Sequence, residues 1–204
     1  MDNAQFPKTG GTWTNRVQMI VSREPAWVTV PIVRAYHGTR SVREMRIHPN
    51  STWRGKLMRT LEHSYRRATH FAEVHGWLEE LVLNPTSDLA EYNLNAIHAV
   101  CDRLEFKTPF RIGSALGADG QATDLLISMV KAVGGTAYLV GGGASGYQQD
   151  ENFAEAGINL IHQDFQHPTY PQLNTTGFQP GLSIVDALMN CGFAGTAELL
   201  ERAA

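Results

Sequence analysis

The stretch that decides the fold is "TAYLVGGGASGYQQDENFAEAGINLIHQDF", residues 136–165. Two hydrophobic runs, 137–140 and 158–161, are separated by a glycine-rich segment and by a short stretch typical of a helix that ends at Gly157. A strand, a helix and a second strand in this order predict a β-α-β unit whose strands are parallel. The stretch therefore indicates an α/β fold.

The glycine-rich segment, residues 141–147, reads GGGASGY and contains the pattern G-x-G-x-x-G. A dinucleotide site would need a long apolar helix after the last glycine, but the short polar stretch "YQQDENFAEAG" follows. Two alternatives remain open: a plain glycine-rich exit from a strand, and a phosphate cradle built from backbone N–H groups. Our prediction favours the cradle. Its predicted ligand-binding residues are Gly141, Gly142, Gly143, Ser145 and Tyr147.

A second candidate segment, "HQDFQHPTYPQ" at residues 162–172, follows the next predicted strand. Because the carboxyl ends of parallel strands meet at one edge of a sheet, we expect this segment and the glycine loop to share a crevice. His167 is predicted to be an acid or base, with Asp164 as a second catalytic residue and Tyr170 as a ligand contact. A turn at His167 with no catalytic role is the alternative. No His or Cys spacing typical of a metal site is present, so no metal is predicted.

The rest of the chain supports the same fold class. "RVQMIV" and "AWVTVPIV" predict an N-terminal β-hairpin, and "SVREMRI" and "PFRIGSAL" predict further strands. Helical patterns cover the middle of the chain, where Leu94, Ile97, Cys101 and Leu104 are predicted to form a core face. Near the C-terminus, Ser183 is predicted to cap a helix with Asp186 in its first turn.

These elements together predict one α/β domain over residues 1–204, with a mainly parallel sheet flanked by helices, an N-terminal hairpin and a helical middle segment.

Charge is distributed unevenly along the chain. Residues 1–67 hold 12 Lys and Arg against 4 Asp and Glu, although the formal net charge of the whole chain is −3. One helical face carries a basic stripe that could grip a diphosphate or could be an ordinary solvated surface. The stripe consists of Lys56, Arg59, His63, Arg66 and His70. We predict an anionic small-molecule partner with Arg59 among its contacts. The lack of an interleaved aromatic motif argues against nucleic acid.

Composition places the chain among ordinary globular proteins. It contains two cysteines, too few for a disulfide framework, and no apolar run long enough to span a bilayer. The first residues lack the pattern of a signal peptide. These features predict a cytoplasmic protein without membrane insertion.

Several segments together resemble the WbqC-like family: "TWTNRVQ", "WVTVPI", "LEHSY", "YLVGGGASGY", "HQDFQHPTYPQ" and "GLSIVDALMNCG". The resemblance implies a bacterial α/β protein of surface-polysaccharide, O-antigen or other sugar-modifying pathways. Two departures stand out. The chain is expected to lack the strand, helix and strand with which family members usually begin, and Ala144 and Ser145 stand where the family commonly has an arginine.

Two hypotheses follow from the resemblance. The first is an enzyme, a transferase or ligase, that moves an acyl or aminoacyl group through a nucleotide-activated intermediate. ATP or a nucleotide-sugar would then be bound, and Asn15 and Arg16 would orient an anionic group of the substrate. The second is a non-catalytic ligand-binding or accessory protein that has lost its nucleotide-binding half. A homodimer with a contact near residues 1–6 is a further expectation.

Overall fold

The computed structural model describes residues 2–7, 13–49, 52–141 and 149–203. The chain forms two compact units. The smaller unit comprises Met1–Asn3 and Thr108–Gln166, and the larger unit comprises Ala4–Lys107 and His167–Ala204. The expectation of a single domain stays a prediction, because two compact units can still unfold as one cooperative domain.

The larger unit begins with the predicted hairpin. β1 (Arg16–Val21) pairs with β2 (Glu24–Thr29) in antiparallel register, and Val21 lies opposite Glu24. The two residues between the strands, Ser22 and Arg23, have φ angles of 53° and 74°. Two consecutive residues with positive φ are typical of the tight turn whose twist matches that of a β-hairpin. The prediction of an N-terminal hairpin is confirmed.

Three helices follow the hairpin: α1 (Thr52–Tyr65), α2 (Phe71–Val82) and α3 (Leu89–Arg103). α2 ends before Asn84-Pro85, where the proline cannot continue a helix. At the start of α3, the Asp88 carboxylate accepts a hydrogen bond of 2.9 Å from the backbone N–H of Glu91. This N-cap satisfies one of the amide groups that has no partner within the helix. The helical middle segment is therefore present as predicted.

The predicted core face of α3 is wrong in its central part. Ile97 is 47% exposed, and Leu94 and Cys101 are only half-buried, whereas Leu104 is buried. The residues of α3 that are buried lie in its first turn, where Leu89 and Tyr92 belong to one of the hydrophobic clusters of the larger unit. The helix leaves this cluster after its first turn, and periodicity alone could not show how far the contact extends.

The smaller unit contains the predicted β-α-β stretch. α4 (Ala122–Ala132) precedes β3 (Ala137–Val140), and α5 (Asp150–Glu155) joins it to β4 (Asn159–His162). The two strands are parallel, with Leu139 opposite Ile161. Among the described residues, the buried side chains of Val130, Phe153 and Ile158 pack together as a hydrophobic cluster in this unit. The parallel arrangement predicted from residues 136–165 is confirmed.

The predicted mainly parallel sheet is not supported. Within the described ranges the chain has two separate two-stranded sheets, one antiparallel and one parallel. "PFRIGSAL" contains no strand but a 3₁₀ turn at Gly113–Ala115, and Phe110 is 42% exposed. "SVREMRI" contains another 3₁₀ turn, at Val42–Glu44, and isolated bridges replace a ladder there. The Glu44 carboxylate accepts hydrogen bonds from the Ser41 backbone N–H and hydroxyl at 2.8 and 2.7 Å, a local capping pattern that competes with strand pairing.

The chain returns to the larger unit with α6 (Ile184–Ala203), which is kinked at Gly192. There the backbone adopts φ 72° and ψ −176°, a conformation that favours glycine. A Cβ at this position would lie 2.6 Å from Nδ1 of His70, so the imidazole ring fits only because position 192 has no side chain. Within the described part of the chain, every helix is too short or too polar to cross a membrane.

Candidate functional site

A basic cleft lies in the larger unit between the hairpin turn and the exposed face of α1. It consists of two cavities of about 250 and 680 Å³ that share Ser22, His63 and Ser64 as lining residues. Arg23 comes from the turn, while the other basic side chains come from α1 and the residues directly after it. The basic lining residues are Arg23, Lys56, Arg59, His63, Arg66 and Arg67.

Local structure explains why these side chains converge. The positive φ angles of Ser22 and Arg23 turn the chain tightly at the end of β1. The backbone N–H of Ile20 donates a hydrogen bond of 3.2 Å to the hydroxyl of Tyr65, the last residue of α1, which ties β1 to the end of that helix. The turn and the C-terminal half of α1 are therefore held side by side.

The electrostatics of the cleft favour an anion. No aspartate or glutamate of the described residues lines either cavity. None of the six basic side chains forms an ion pair with a carboxylate within the described ranges. Arginine guanidinium groups match the geometry of phosphate oxygens through paired N–H donors, and lysine adds a compact charge. This arrangement can bind a phosphate or diphosphate group.

A buried hydrogen-bonded network lies next to the cleft. The Asp186 carboxylate is fully buried and accepts hydrogen bonds of 2.9 Å from the hydroxyls of both Tyr65 and Tyr170. Burial raises the pKa of Asp186 above its ordinary value, against the effect of the hydroxyl donors. Burial and the nearby Asp186 carboxylate also raise the pKa values of Tyr65 and Tyr170, so both phenols stay protonated donors. The network joins α1, the segment around residue 170 and α6.

Asn15 and Arg16, which the sequence predicts to contact a ligand, line a different cavity of the larger unit. This apolar cavity has a volume of about 160 Å³ and shares no lining residue with the basic cleft. Asn15 is 5% exposed, and its side-chain amide donates a hydrogen bond of 3.1 Å to the carbonyl of Val30. The Arg16 guanidinium lies 4.4 Å from the centre of the Trp27 ring, a cation–π contact.

The glycine loop is described only at its first residue. Gly141 is exposed, and a Cβ there would meet no atom within 4 Å. The other predicted cradle residues, Gly142, Gly143, Ser145 and Tyr147, lie outside the described residues. The choice between a phosphate cradle and a plain strand exit stays open.

The segment after β4 contains three residues that the sequence predicts to belong to a site. Asp164 and His167 are both exposed, and the Asp164 carboxylate accepts a hydrogen bond of 3.1 Å from the Gln166 side chain. Tyr170 is half-buried, and its hydroxyl donates a hydrogen bond to the Asp186 carboxylate. None of the three lines the described basic cleft. Their catalytic and binding roles stay predictions.

Most of the basic stripe is in the cleft, and one member is not. Lys56, Arg59, His63 and Arg66 line it, whereas His70 lies against Gly192, with its Nδ1 3.8 Å from the Glu73 carboxylate. Sequence reasoning did not connect Arg23 and Arg67 with this stripe. The concentration of positive charge in residues 1–67 was the signal that could have included them.

No metal centre is present in the part of the chain that the structure describes, since three or more His, Cys, Asp or Glu side chains never converge there. In the smaller unit a His–Asp pair joins the end of β4 to the start of α5: His162 Nε2 lies 3.6 Å from the Asp150 carboxylate, and both side chains are exposed.

Comparison with known proteins places the chain in a family. The profile of the WbqC-like protein family matches residues 1–198. The chain is also similar to the uncharacterized protein Rv1507c of Mycobacterium tuberculosis (strain ATCC 25618 / H37Rv). The two are 31% identical over 196 residues, which cover 94% of this chain and 82% of that protein. No solved structure matches the chain significantly.

Proposed function

The chain belongs to the WbqC-like protein family, and we propose that it binds a phosphorylated small molecule in the basic cleft. The observation that carries this proposal is the convergence of six basic side chains on two joined cavities, in which no carboxylate of the described residues lies. Positive charge that is not neutralised by the protein itself raises the local concentration of anions and strengthens their binding.

The shape of the cleft supports a ligand with more than one phosphate. Arg66 and Arg67 line the smaller cavity, Lys56 and Arg59 line the larger one, and His63 lines both. A diphosphate can therefore contact two groups of basic residues at once. ATP and nucleotide-sugars both carry such a group, and either could supply it.

The reaction we propose is the modification of a sugar or surface polysaccharide by transfer of an acyl or aminoacyl group through a nucleotide-activated intermediate. The family resemblance supports the pathway, and the basic cleft supports the nucleotide. His63, which lines the cleft, is a further candidate acid or base, in addition to His167 and Asp164, which the sequence predicts. The glycine loop, residues 141–147, stays a separate sequence-predicted phosphate site.

Titration calorimetry with ATP and with UDP-glucose tests the binding claim. We expect Lys56→Gln and Arg59→Gln each to weaken binding of the favoured nucleotide by about tenfold, which corresponds to about 1.4 kcal/mol. Lys131→Gln is the matched control, because Lys131 is an exposed lysine on α4 that lines neither cavity. Equal weakening by Lys131→Gln, or no binding of either nucleotide, would contradict the proposal.

A non-catalytic ligand-binding or accessory protein would bind the same nucleotide but would not convert it to a product. Incubation of the protein with the bound nucleotide and candidate acyl or amino-acid donors, followed by mass spectrometry, separates the two. Release of diphosphate or a new covalent product supports the enzyme. Stable binding without any product supports a ligand-binding or accessory protein.

A further inference from the structure

A closed loop of the larger unit, residues 172–179, brings Asn174 to the smaller cavity of the basic cleft. One side chain joins the two ends of this loop. The Gln172 amide nitrogen donates a hydrogen bond of 3.0 Å to the Gln179 carbonyl, and the Gln172 amide oxygen accepts one of 2.7 Å from the Gln179 N–H. Paired residues of antiparallel strands exchange two hydrogen bonds in the same way. The loop is therefore held closed by its own residues.

The loop is also tied to two helices. The backbone N–H of Leu173 donates a hydrogen bond of 3.0 Å to the side chain of Asn190 on α6. The Asn174 side-chain amide donates one of 3.2 Å to the carbonyl of Ser64, in the last turn of α1, where carbonyl groups have no partner within the helix. Asn174 has a φ angle of 64°, a conformation that asparagine tolerates better than most residues. These contacts hold Asn174 at the end of α1.

The hydrogen-bonding chemistry of Asn174 differs from that of the arginines that line the same cavity. Arg23, Arg66 and Arg67 can only donate hydrogen bonds. In Asn174 the amide nitrogen is the atom that bonds the Ser64 carbonyl, since a carbonyl can only accept, so the other amide atom is the oxygen, an acceptor. Among the described residues no donor bonds this oxygen, and Asn174 is exposed. The cavity therefore combines a group of donors with one acceptor.

This combination suits a ligand that carries both a phosphate and a hydroxyl group. A phosphate ester has a second pKa of about 6, so above neutral pH its oxygens only accept hydrogen bonds. Such oxygens match the arginines but gain nothing from the oxygen of Asn174. A hydroxyl group, in contrast, can donate to that oxygen. A sugar phosphate supplies both groups.

We propose that the smaller cavity binds a phosphorylated sugar, with the phosphate on the arginines and a sugar hydroxyl donating a hydrogen bond to Oδ1 of Asn174. A free sugar phosphate and the sugar of a nucleotide share this chemistry. Ser22 and Ser64 line the same cavity, and a serine hydroxyl can donate or accept a further bond to the sugar. The inference rests on the proposed phosphate binding in the basic cleft and adds the residue that recognises the sugar.

A matched pair of phosphate esters tests the first source of the sugar in the wild-type protein. Glucose 1-phosphate and cyclohexyl phosphate both carry a phosphate on a six-membered ring, but only the first has hydroxyl groups. Calorimetric titration at pH 8 keeps both esters fully ionised, because their second pKa is about 6. We expect glucose 1-phosphate to bind about fivefold more tightly, the effect of one neutral hydrogen bond.

ATP and 2′,3′-dideoxy-ATP form the second pair and test the sugar of a nucleotide. These two nucleotides differ only in the ribose hydroxyl groups. A preference of about fivefold in this pair assigns the site to a nucleotide, and a preference in the glucose pair alone assigns it to a free sugar phosphate. No preference for the hydroxylated member of either pair would overturn the inference, without requiring any variant to fold.

Asn174→Gly tests the residue itself, because glycine keeps the positive φ and removes the amide. We expect this variant to bind both members of the favoured pair equally, and to bind the hydroxyl-free member as the wild type does. Asn95→Ala is the control, since Asn95 is an exposed residue of α3 that lines neither cavity, and it should keep the wild-type preference. A preference that survives in Asn174→Gly, or an equal loss of both members, would overturn the role of Asn174.

The result for the sugar is separable from that for phosphate binding. Arg66→Gln is expected to weaken both members of a pair by the same factor, because the phosphate is common to both. If the wild-type protein binds none of the four compounds, the proposed phosphate site fails together with this inference. If it binds them without preference for the hydroxylated members, this inference fails alone.

Discussion

Tyr65 and Asp186 are 121 positions apart in sequence, yet the Tyr65 hydroxyl donates a hydrogen bond of 2.9 Å to the buried Asp186 carboxylate. The same hydroxyl accepts a hydrogen bond from the backbone N–H of Ile20. One phenol therefore joins the end of α1 to β1 and to α6. Because β1 and α1 also carry the basic cleft, this hydroxyl fixes the elements from which the cleft is built.

Tyr65→Phe is expected to lower the free energy of unfolding by about 1–3 kcal/mol, because two buried groups lose a hydrogen-bond partner. Tyr170→Phe is the matched comparison. Its hydroxyl receives no backbone hydrogen bond among the described residues, and Tyr170 is less buried than Tyr65, so a smaller loss is expected. Denaturant unfolding followed by circular dichroism measures both. A loss from Tyr170→Phe equal to or larger than that from Tyr65→Phe would contradict this account.

The pKa of Asp186 gives a pH prediction with a definite sign. Burial raises this pKa in the folded protein above the value of 3.8 for an unperturbed aspartate. The folded state therefore holds the proton more tightly than the unfolded state, and the associated stability is lost as pH rises from about 3.8 through the folded pKa. Relative to Asp186→Asn, the wild-type protein should become less stable across that interval.

Urea unfolding of both proteins at a series of pH values measures this difference. Asp2 and Glu44, whose pKa values are lowered, are present in both proteins and cancel in the comparison. A stability difference that grows in favour of the wild type with rising pH would show that the hydroxyl donors outweigh burial.

Gly192→Ala is expected to destabilise the protein by about 1–3 kcal/mol, because φ 72° with ψ −176° is a backbone region that essentially only glycine adopts. The clash with the His70 ring adds to this cost. Adding His70→Ala to Gly192→Ala should relieve the clash and restore that part of the lost stability, but not the part that is due to the backbone conformation. Thermal unfolding provides the measurement.

Gly76→Ala is the control for this prediction. Gly76 lies within α2, where a Cβ would meet nothing within 4 Å, so alanine should stabilise the helix by about 0.5–1 kcal/mol. If Gly192→Ala behaves like Gly76→Ala, the kink does not require glycine.

Local patterns predicted those parts of the fold that local interactions determine. The hairpin is encoded by two β-branched runs with a short turn between them, and the parallel pair by apolar runs on either side of a short helix. The extent of the sheet could not be predicted in this way. Phe110 and Ile112 alternate as in a strand, but a strand forms only where another strand offers hydrogen-bond partners, and that depends on distant parts of the chain.

For the candidate site, too, the sequence predicted the features that depend on local spacing but not those that depend on tertiary contacts. The spacing of Lys56, Arg59, His63 and Arg66 along one predicted helix was visible in the sequence, and all four line the cleft, although α1 itself ends at Tyr65. The addition of Arg23 depends on the hairpin turn meeting α1, a tertiary contact that no spacing encodes. Asp186 stands in the first turn of a helix and could be interpreted as a charge near the helix dipole, whereas its partners, Tyr65 and Tyr170, became apparent only from the structure.

The salt dependence of nucleotide binding tests the central claim most directly. Charges exposed to solvent interact over a Debye length of about 10 Å at 0.1 M salt and about 3 Å at 1 M, so binding that depends on the basic cleft must weaken as salt rises. Calorimetric titration of the wild-type protein with ATP at these two salt concentrations measures the effect. We predict a weaker affinity at the higher concentration and a smaller salt effect in Arg59→Gln. An affinity that is the same at both concentrations would contradict a phosphate site formed by these residues.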